Sequence, residues 1–111
     1  MQKLQKLTRH TSLEYGIYLR DEIRQNIRNR ILRLRELAPS NSNIRLSFKM
    51  PFNKIKGILT INSFGKSFKA EADNTDPTVL FDLLEDEIKK QLNKWKSDRF
   101  SESHISDASL A

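Results

Sequence analysis

Six arginines stand within one sixteen-residue stretch, at positions Arg20, Arg24, Arg28, Arg30, Arg33 and Arg35, and only Asp21, Glu22 and Glu36 oppose them. On a helix that turns about 100° per residue, Arg24, Arg28 and Arg35 flank one side of the apolar positions between them, and Arg30 and Arg33 flank the other. An ordinary solvated face mixes signs and uses lysine as readily as arginine. A face of arginine alone offers planar, forked donors that fit phosphate oxygens and can stack on bases. A second basic run, Lys89, Lys90, Lys94 and Lys96, closes the stretch "DPTVLFDLLEDEIKKQLNKWK", whose first half holds Asp82, Glu85, Asp86 and Glu87. That order complements a helix dipole, and Glu85 to Lys89 and Asp86 to Lys90 are favourable i, i+4 pairs worth about 0.2–0.5 kcal/mol each. Stability alone therefore accounts for Lys89 and Lys90. Lys94 and Lys96 have no acid four residues before them and are the better candidates for a partner.

Bond-making chemistry has little to work with. The chain has no cysteine, which excludes a disulfide framework, a thiolate zinc site and a cysteine nucleophile. His10 and His104 have no second ligand at metal spacing and are read as incidental. No carboxylate pair, Ser-His-Asp set, HExxH or glycine-rich phosphate loop occurs, and three glycines leave little for one. The expectation is a non-enzymatic protein with no cofactor and no metal.

The elements that must carry these cations follow from periodicity. Ile23, Ile27, Ile31 and Leu34 draw one apolar stripe along a helix with Asp21 as its N-cap and Pro39 as its stop. Ile44, Leu46, Phe48 and Met50 alternate with polar residues as in a half-buried strand. "KIKGILTINS" and "SFKAEAD" continue as two more strands of an antiparallel meander, joined through the turn "NSFGK". Asp76 and Pro77 suit the N-cap and first position of a second helix, whose stripe is Phe81, Leu84, Ile88, Leu92 and Trp95. Trp95 is read as closing the core rather than stacking on a base. Leu13, Tyr15, Ile17 and Leu19 alternate as a strand would, although Gly16 interrupts them and Leu4 and Leu7 keep a helical spacing. The fold class expected is α+β in the order β-α-β-β-β-α, two helices covering one face of a four-stranded, mostly antiparallel sheet.

A chain of 111 residues with 37% hydrophobic content fills one core without staples. Residues 1–96 are expected to form that single domain, and the Ser-rich segment 97–111 to be a disordered tail. The net charge is +6, but the tail holds one Arg and three acids, which leaves +8 on residues 1–96. A body so charged favours a polyanion, either nucleic acid or an acidic membrane surface. No apolar run is long enough to span a bilayer and the start lacks a secretory segment, so the expected location is cytoplasmic.

The stretch "GILTINSFGKSFKAEADNTDPTVLFDLLEDEIKKQLNKWK" resembles the ribosome hibernation promoting factor and ribosome-associated inhibitor family, also called sigma-54 modulation proteins. Members likewise show a strand, a Gly-containing turn, a strand ending near an acid, and a helix that opens on Asp and closes on a basic-Gln-Leu-x-Lys-x-Lys run. That run is here Lys90, Gln91, Leu92, Lys94 and Lys96. More loosely, the resemblance covers residues 20–96, with the family's basic positions falling on Arg24, Arg30 and Arg33. It implies a β-α-β-β-β-α domain that binds ribosomal RNA of the small ribosomal subunit in the mRNA and tRNA channel and inhibits translation by occupancy, as in the short class without a dimerisation domain. The RNA-binding set so expected is Arg24, Arg28, Arg30, Arg33, Arg35, Lys90, Lys94 and Lys96. Two other readings stand beside it. One is a double-stranded RNA-binding domain of α-β-β-β-α order, whose main lysines would open the second helix where this chain has "DPTV". The other is a protein-interaction module that uses a strand edge or Leu32.

Overall fold

The computed structural model describes the backbone of residues 3–8 and 10–110 and the side chains of residues 10–98. Its elements are β1 (Lys3–Thr8), β2 (Thr11–Tyr15), α1 (Asp21–Leu37), β3 (Asn43–Lys49), β4 (Ile55–Ser63), β5 (Lys66–Asn74) and α2 (Pro77–Leu110). The strands lie side by side in chain order; β2 and β3 run parallel and every other neighbouring pair is antiparallel. From β2 onward this is the expected β-α-β-β-β-α order. A further strand, β1, adds an edge through a hairpin with β2. Leu4 and Leu7, spaced as on a helix, gave no sign of it.

The core is written in the register. Leu13, Leu46, Leu59 and Ala70 stand in one row across β2 to β5, and Thr11, Ile44, Ile61 and Phe68 in the next. All eight are buried. A third row passes through Tyr15, Phe48, Gly57 and Ala72. Against this face pack Ile27, Ile31 and Leu34 of α1 and Leu80, Phe81, Leu84, Ile88 and Leu92 of α2. Gly57 is where α2 comes closest: a Cβ there would lie 2.8 Å from Leu84 Cδ1 and 3.1 Å from both Leu80 Cδ2 and Phe48 Cε1. The missing side chain lets the helix seat. Trp95 is half-buried, edge-on to Phe68 with ring centroids 6.1 Å apart, as a core-closing ring should be.

The helix ends differ in chemistry. Asp76 caps α2, its Oδ1 accepting from the Thr78 and Val79 amides at 2.8 and 3.3 Å, with Pro77 first in the helix. At α1 the N-cap is Arg20, without a side-chain cap bond, and Asp21 is already helical. That corrects the expected cap by one residue; the Asp21 carboxylate turns instead to Arg24. β3 ends at Lys49, which leaves Met50 outside the strand and half in water. Beyond residue 97, where the sequence suggests disorder, α2 continues helical to Leu110. No glycine or proline interrupts that stretch.

Connectivity sets the relation of the helices. α1 returns between two parallel strands and so runs against β3; α2 follows β5, which is parallel to β3, and runs against it too. The two helices therefore point the same way, and their basic second halves reach the same end of the sheet. A side-chain pair ties the outer edge of the sheet to α2: Gln91 accepts from the Lys69 amide at 3.1 Å and donates to the Lys69 carbonyl at 2.8 Å. In effect its amide stands in for a strand residue beside β5 and blocks that edge.

Candidate nucleic-acid interface

Arg30 is the most constrained of the cations. Its guanidinium donates to both Glu85 oxygens, at 2.7 and 3.2 Å, and to Asp82 at 2.6 Å, and it lies 4.7 Å from the Phe81 ring centre. Only 18% of the Arg30 side chain and 13% of the Glu85 side chain remain exposed. The hydrogen bond to Glu85 above all, set against desolvation and helped by Asp82, raises the arginine's pKa above its ordinary value. This side chain is a clamp between α1 and α2, with its donors spent on carboxylates of the same molecule.

That clamp also orients everything else. Asp82, Glu85 and Lys89 form the flank of α2 that faces α1; Lys89 approaches Glu85 at 3.7 Å, and Lys96, seven residues on, shares their side. Opposite them on α1 stand Arg33 and Leu37, which with Arg30, Glu36, Glu85 and Lys89 line an open hollow of about 440 Å³ between the helices. Lys94 lies on the other flank of α2, the one Gln91 fixes to β5, and Lys90 beside it turns toward solvent. On α1, Arg24, Arg28 and Arg35 take the flank away from α2. Arg35 there donates to Thr11 Oγ1 of β2 at 2.7 Å, and Arg24 is paired with Asp21.

The predicted residues thus fall into three places: an outer flank of α1 with Arg24, Arg28 and Arg35, a groove between the helices with Arg30 and Arg33 and, two turns further along the same side of α2, Lys96, and a β5-side flank with Lys90 and Lys94. Among the described residues, Arg28, Arg33, Lys90, Lys94 and Lys96 have no ion pair. The expected Asp86 to Lys90 pair is not formed, whereas Glu85 to Lys89 is. Arg20, exposed and also without an ion pair, belongs with the free cations. The sequence counts it among the six arginines, but as the N-cap of α1 it belongs to neither flank of the helix and so falls outside the expected RNA-binding set.

The uncovered face of the sheet differs in kind. There Arg45 meets Glu14 at 3.4 Å, and Glu71 meets Lys69 at 2.8 Å and Lys56 at 4.0 Å. The hydrogen bond from Lys69 lowers the Glu71 pKa. Among the described residues three ion pairs lie on this face, where Lys49 and Asp73 have none, while α2 from Lys89 to Lys96 carries four lysines and no acid. Most of the cations without an ion pair among the described residues, Arg20, Arg28, Arg33, Lys90, Lys94 and Lys96, lie on the helical side, beside the unpaired acids Glu22, Glu36, Asp86 and Glu87.

His10 Nδ1 lies 3.1 Å from Asn43 Oδ1, a local tie between β3 and the turn before β2; the side chain of His104 lies outside the described residues. Among the described residues no group of three or more His, Asp or Glu is placed to hold a metal ion. No helix is long and apolar enough to cross a membrane among them either.

Similarity to known proteins appears at the level of structure. No protein-family model and no curated protein matches the sequence. A solved structure does match: a ribosomal subunit interface protein from Coxiella burnetii, with a TM-score of 0.65 at 22% identity, over 79% of this chain and 98% of that one. The two chains share a fold. At that identity the likeness speaks for backbone architecture, and the match runs through nearly the whole of the Coxiella domain. The β-α-β-β-β-α arrangement implied by the sequence resemblance is thus present.

Proposed function

We propose that this chain is a ribosome-binding factor that occupies the mRNA and tRNA channel of the small subunit and inhibits translation by filling it. It acts in the cytoplasm, under conditions in which ribosomes are stored rather than used, and it performs no catalysis. The observation that carries this reading is the gathering of unanswered cations on the helical side of a fold shared with a ribosomal subunit interface protein. Arg28, Arg33, Lys90, Lys94 and Lys96 supply the contacts to ribosomal RNA phosphates, and Arg24 joins them by exchanging its exposed Asp21 partner for phosphate. Arg30 and Arg35 hold the helices in place to present them, because their donors are already engaged within the molecule. Residues 1–96 form the binding unit, and the segment 97–111, with its net −2, stays off the RNA. A double-stranded RNA-binding module fits less well: α2 opens on a capping Asp76 where that module places lysines, and α1 is here a crossover between two parallel strands.

Sedimentation with purified ribosomes tests the reading. At low salt the protein travels with the small subunit and with whole ribosomes, and binding weakens as salt rises with a log–log slope of about 0.7–0.9 per phosphate neutralised. Protein that stays at the top of a low-salt gradient rules the proposal out. Equal affinity for a plain RNA duplex would favour the double-stranded RNA module instead.

A further inference from the structure

Two aromatic side chains that the core does not use stand on neighbouring loops. Tyr18, in the segment 16–20 between β2 and α1, and Phe52, in the segment 50–54 between β3 and β4, are each 87% exposed. The loops leave the same end of the sheet from adjacent parallel strands. Tyr15 is in register with Phe48, and the Gly16 amide donates to the Phe48 carbonyl at 2.8 Å. Met50, also exposed, lies at that end, and a hollow of about 440 Å³ opens beside Phe52, lined in part by Lys54, Lys56 and Asp73. Arg20, Lys49 and Lys54 stand within two or three residues of the two rings and have no ion pair among the described residues. Single exposed apolar residues are commonplace, but rings on adjacent loops interleaved with free cations are the composition of a surface that grips single-stranded nucleic acid: cations follow the backbone and rings take the bases.

We propose that this loop end is a stacking platform for unpaired bases of single-stranded RNA, with Tyr18 and Phe52 as the stacking rings and Arg20, Lys49 and Lys54 as the phosphate contacts. The platform is separate from the phosphate-binding surface of the helices. It deepens the ribosome-binding reading and rests on it for its natural ligand, since folded ribosomal RNA and mRNA both offer unstacked bases.

The test uses the full chain and a fluorescently labelled oligouridylate of about twelve nucleotides, a length within the range such platforms cover. Tyr18→Ala and Phe52→Ala each weaken binding about 5- to 150-fold, the loss expected for one stacked base. Tyr18→Phe and Phe52→Tyr retain it, because stacking needs the ring and not the hydroxyl. Phe64→Ala is the control: Phe64 is equally exposed, but at the opposite end of β4. All variants unfold at the wild-type midpoint, since neither ring packs in the core. Unchanged affinity in a Tyr18→Ala, Phe52→Ala double variant overturns the proposal, as does a wild-type chain that ignores the oligonucleotide. Loss of ribosome sedimentation with oligonucleotide binding intact also overturns it and assigns the rings to a protein partner. A wild-type chain that fails to sediment with ribosomes counts against the broader reading alone.

Discussion

Arg30 and Tyr15 show how single side chains are committed before any partner arrives. Replacing Arg30 with Ala leaves Glu85 nearly buried with only Lys89, at 3.7 Å, to answer it and removes the contact over Phe81, so Arg30→Ala should cost about 1–3 kcal/mol in urea unfolding. Arg33→Ala, with no internal partner to lose, should shift stability by less than about 0.5 kcal/mol. Tyr15 carries the one buried side-chain polar atom without a hydrogen-bond partner among the described residues, and burial pushes its hydroxyl pKa up to about 12 against the opposing pull of Arg24. A pKa raised in the folded state means that the fold favours the protonated phenol. That contribution is complete below pH 10 and is lost as pH climbs from about 10 to about 12. Comparing wild type with Tyr15→Phe isolates it: the variant should be at least as stable at pH 7, where it sheds an unsatisfied hydroxyl, and should show a shallower loss of stability above pH 10. The sequence identifies Tyr15 as a member of an alternating run, yet the orphaned hydroxyl is a property of what surrounds it and has no trace in spacing.

Elements were legible where one face had to be apolar, except at β2 (Thr11–Tyr15), where the alternation ran on to Ile17 and Leu19, past the end of the strand. Alternation in 44–50, 55–63 and 67–73 marks β3, β4 and β5, and the three- and four-residue spacing of isoleucines and leucines marks both helices, because burial imposes those periods. β1 escaped because its leucines, Leu4 and Leu7, are three apart in the sequence, whereas alternation along a strand needs a spacing of two. The flanks of each helix could be assigned from the sequence, but which flank of α1 faces α2 depends on the crossover between parallel strands, and only the structure separates the arginine clamp from the free arginines. Gly57 makes the element scale testable. Gly57→Ala drives a methyl against Leu84 and Leu80, and should cost about 1–3 kcal/mol of stability, measured by thermal or denaturant unfolding. Partial relief from a second change, Leu84→Ala, would trace the loss to seating of α2 rather than to β4 itself. Asp76→Ala removes two amide partners at the start of α2 and should cost about 1 kcal/mol in the same assay.

For the whole molecule, charge is sorted by face. Among the described residues three ion pairs lie on the open sheet, a clamp of one arginine and two carboxylates joins the helices, and cations without an ion pair on α1 and the second half of α2 face outward, beside a few unpaired acids, from a fold also seen in a ribosomal subunit interface protein. The sequence carried the total charge and its concentration on residues 1–96, but not this division of labour, since whether an arginine meets a carboxylate across 52 or 55 residues is decided by packing. The most direct test of the functional account is ribosome co-sedimentation of a chain carrying Arg24→Glu, Arg28→Glu and Arg33→Glu together, once its unfolding midpoint is shown to be close to wild type. Binding should collapse at all salt concentrations in this variant. Retention at wild-type levels would contradict the assignment of the helical face to ribosomal RNA.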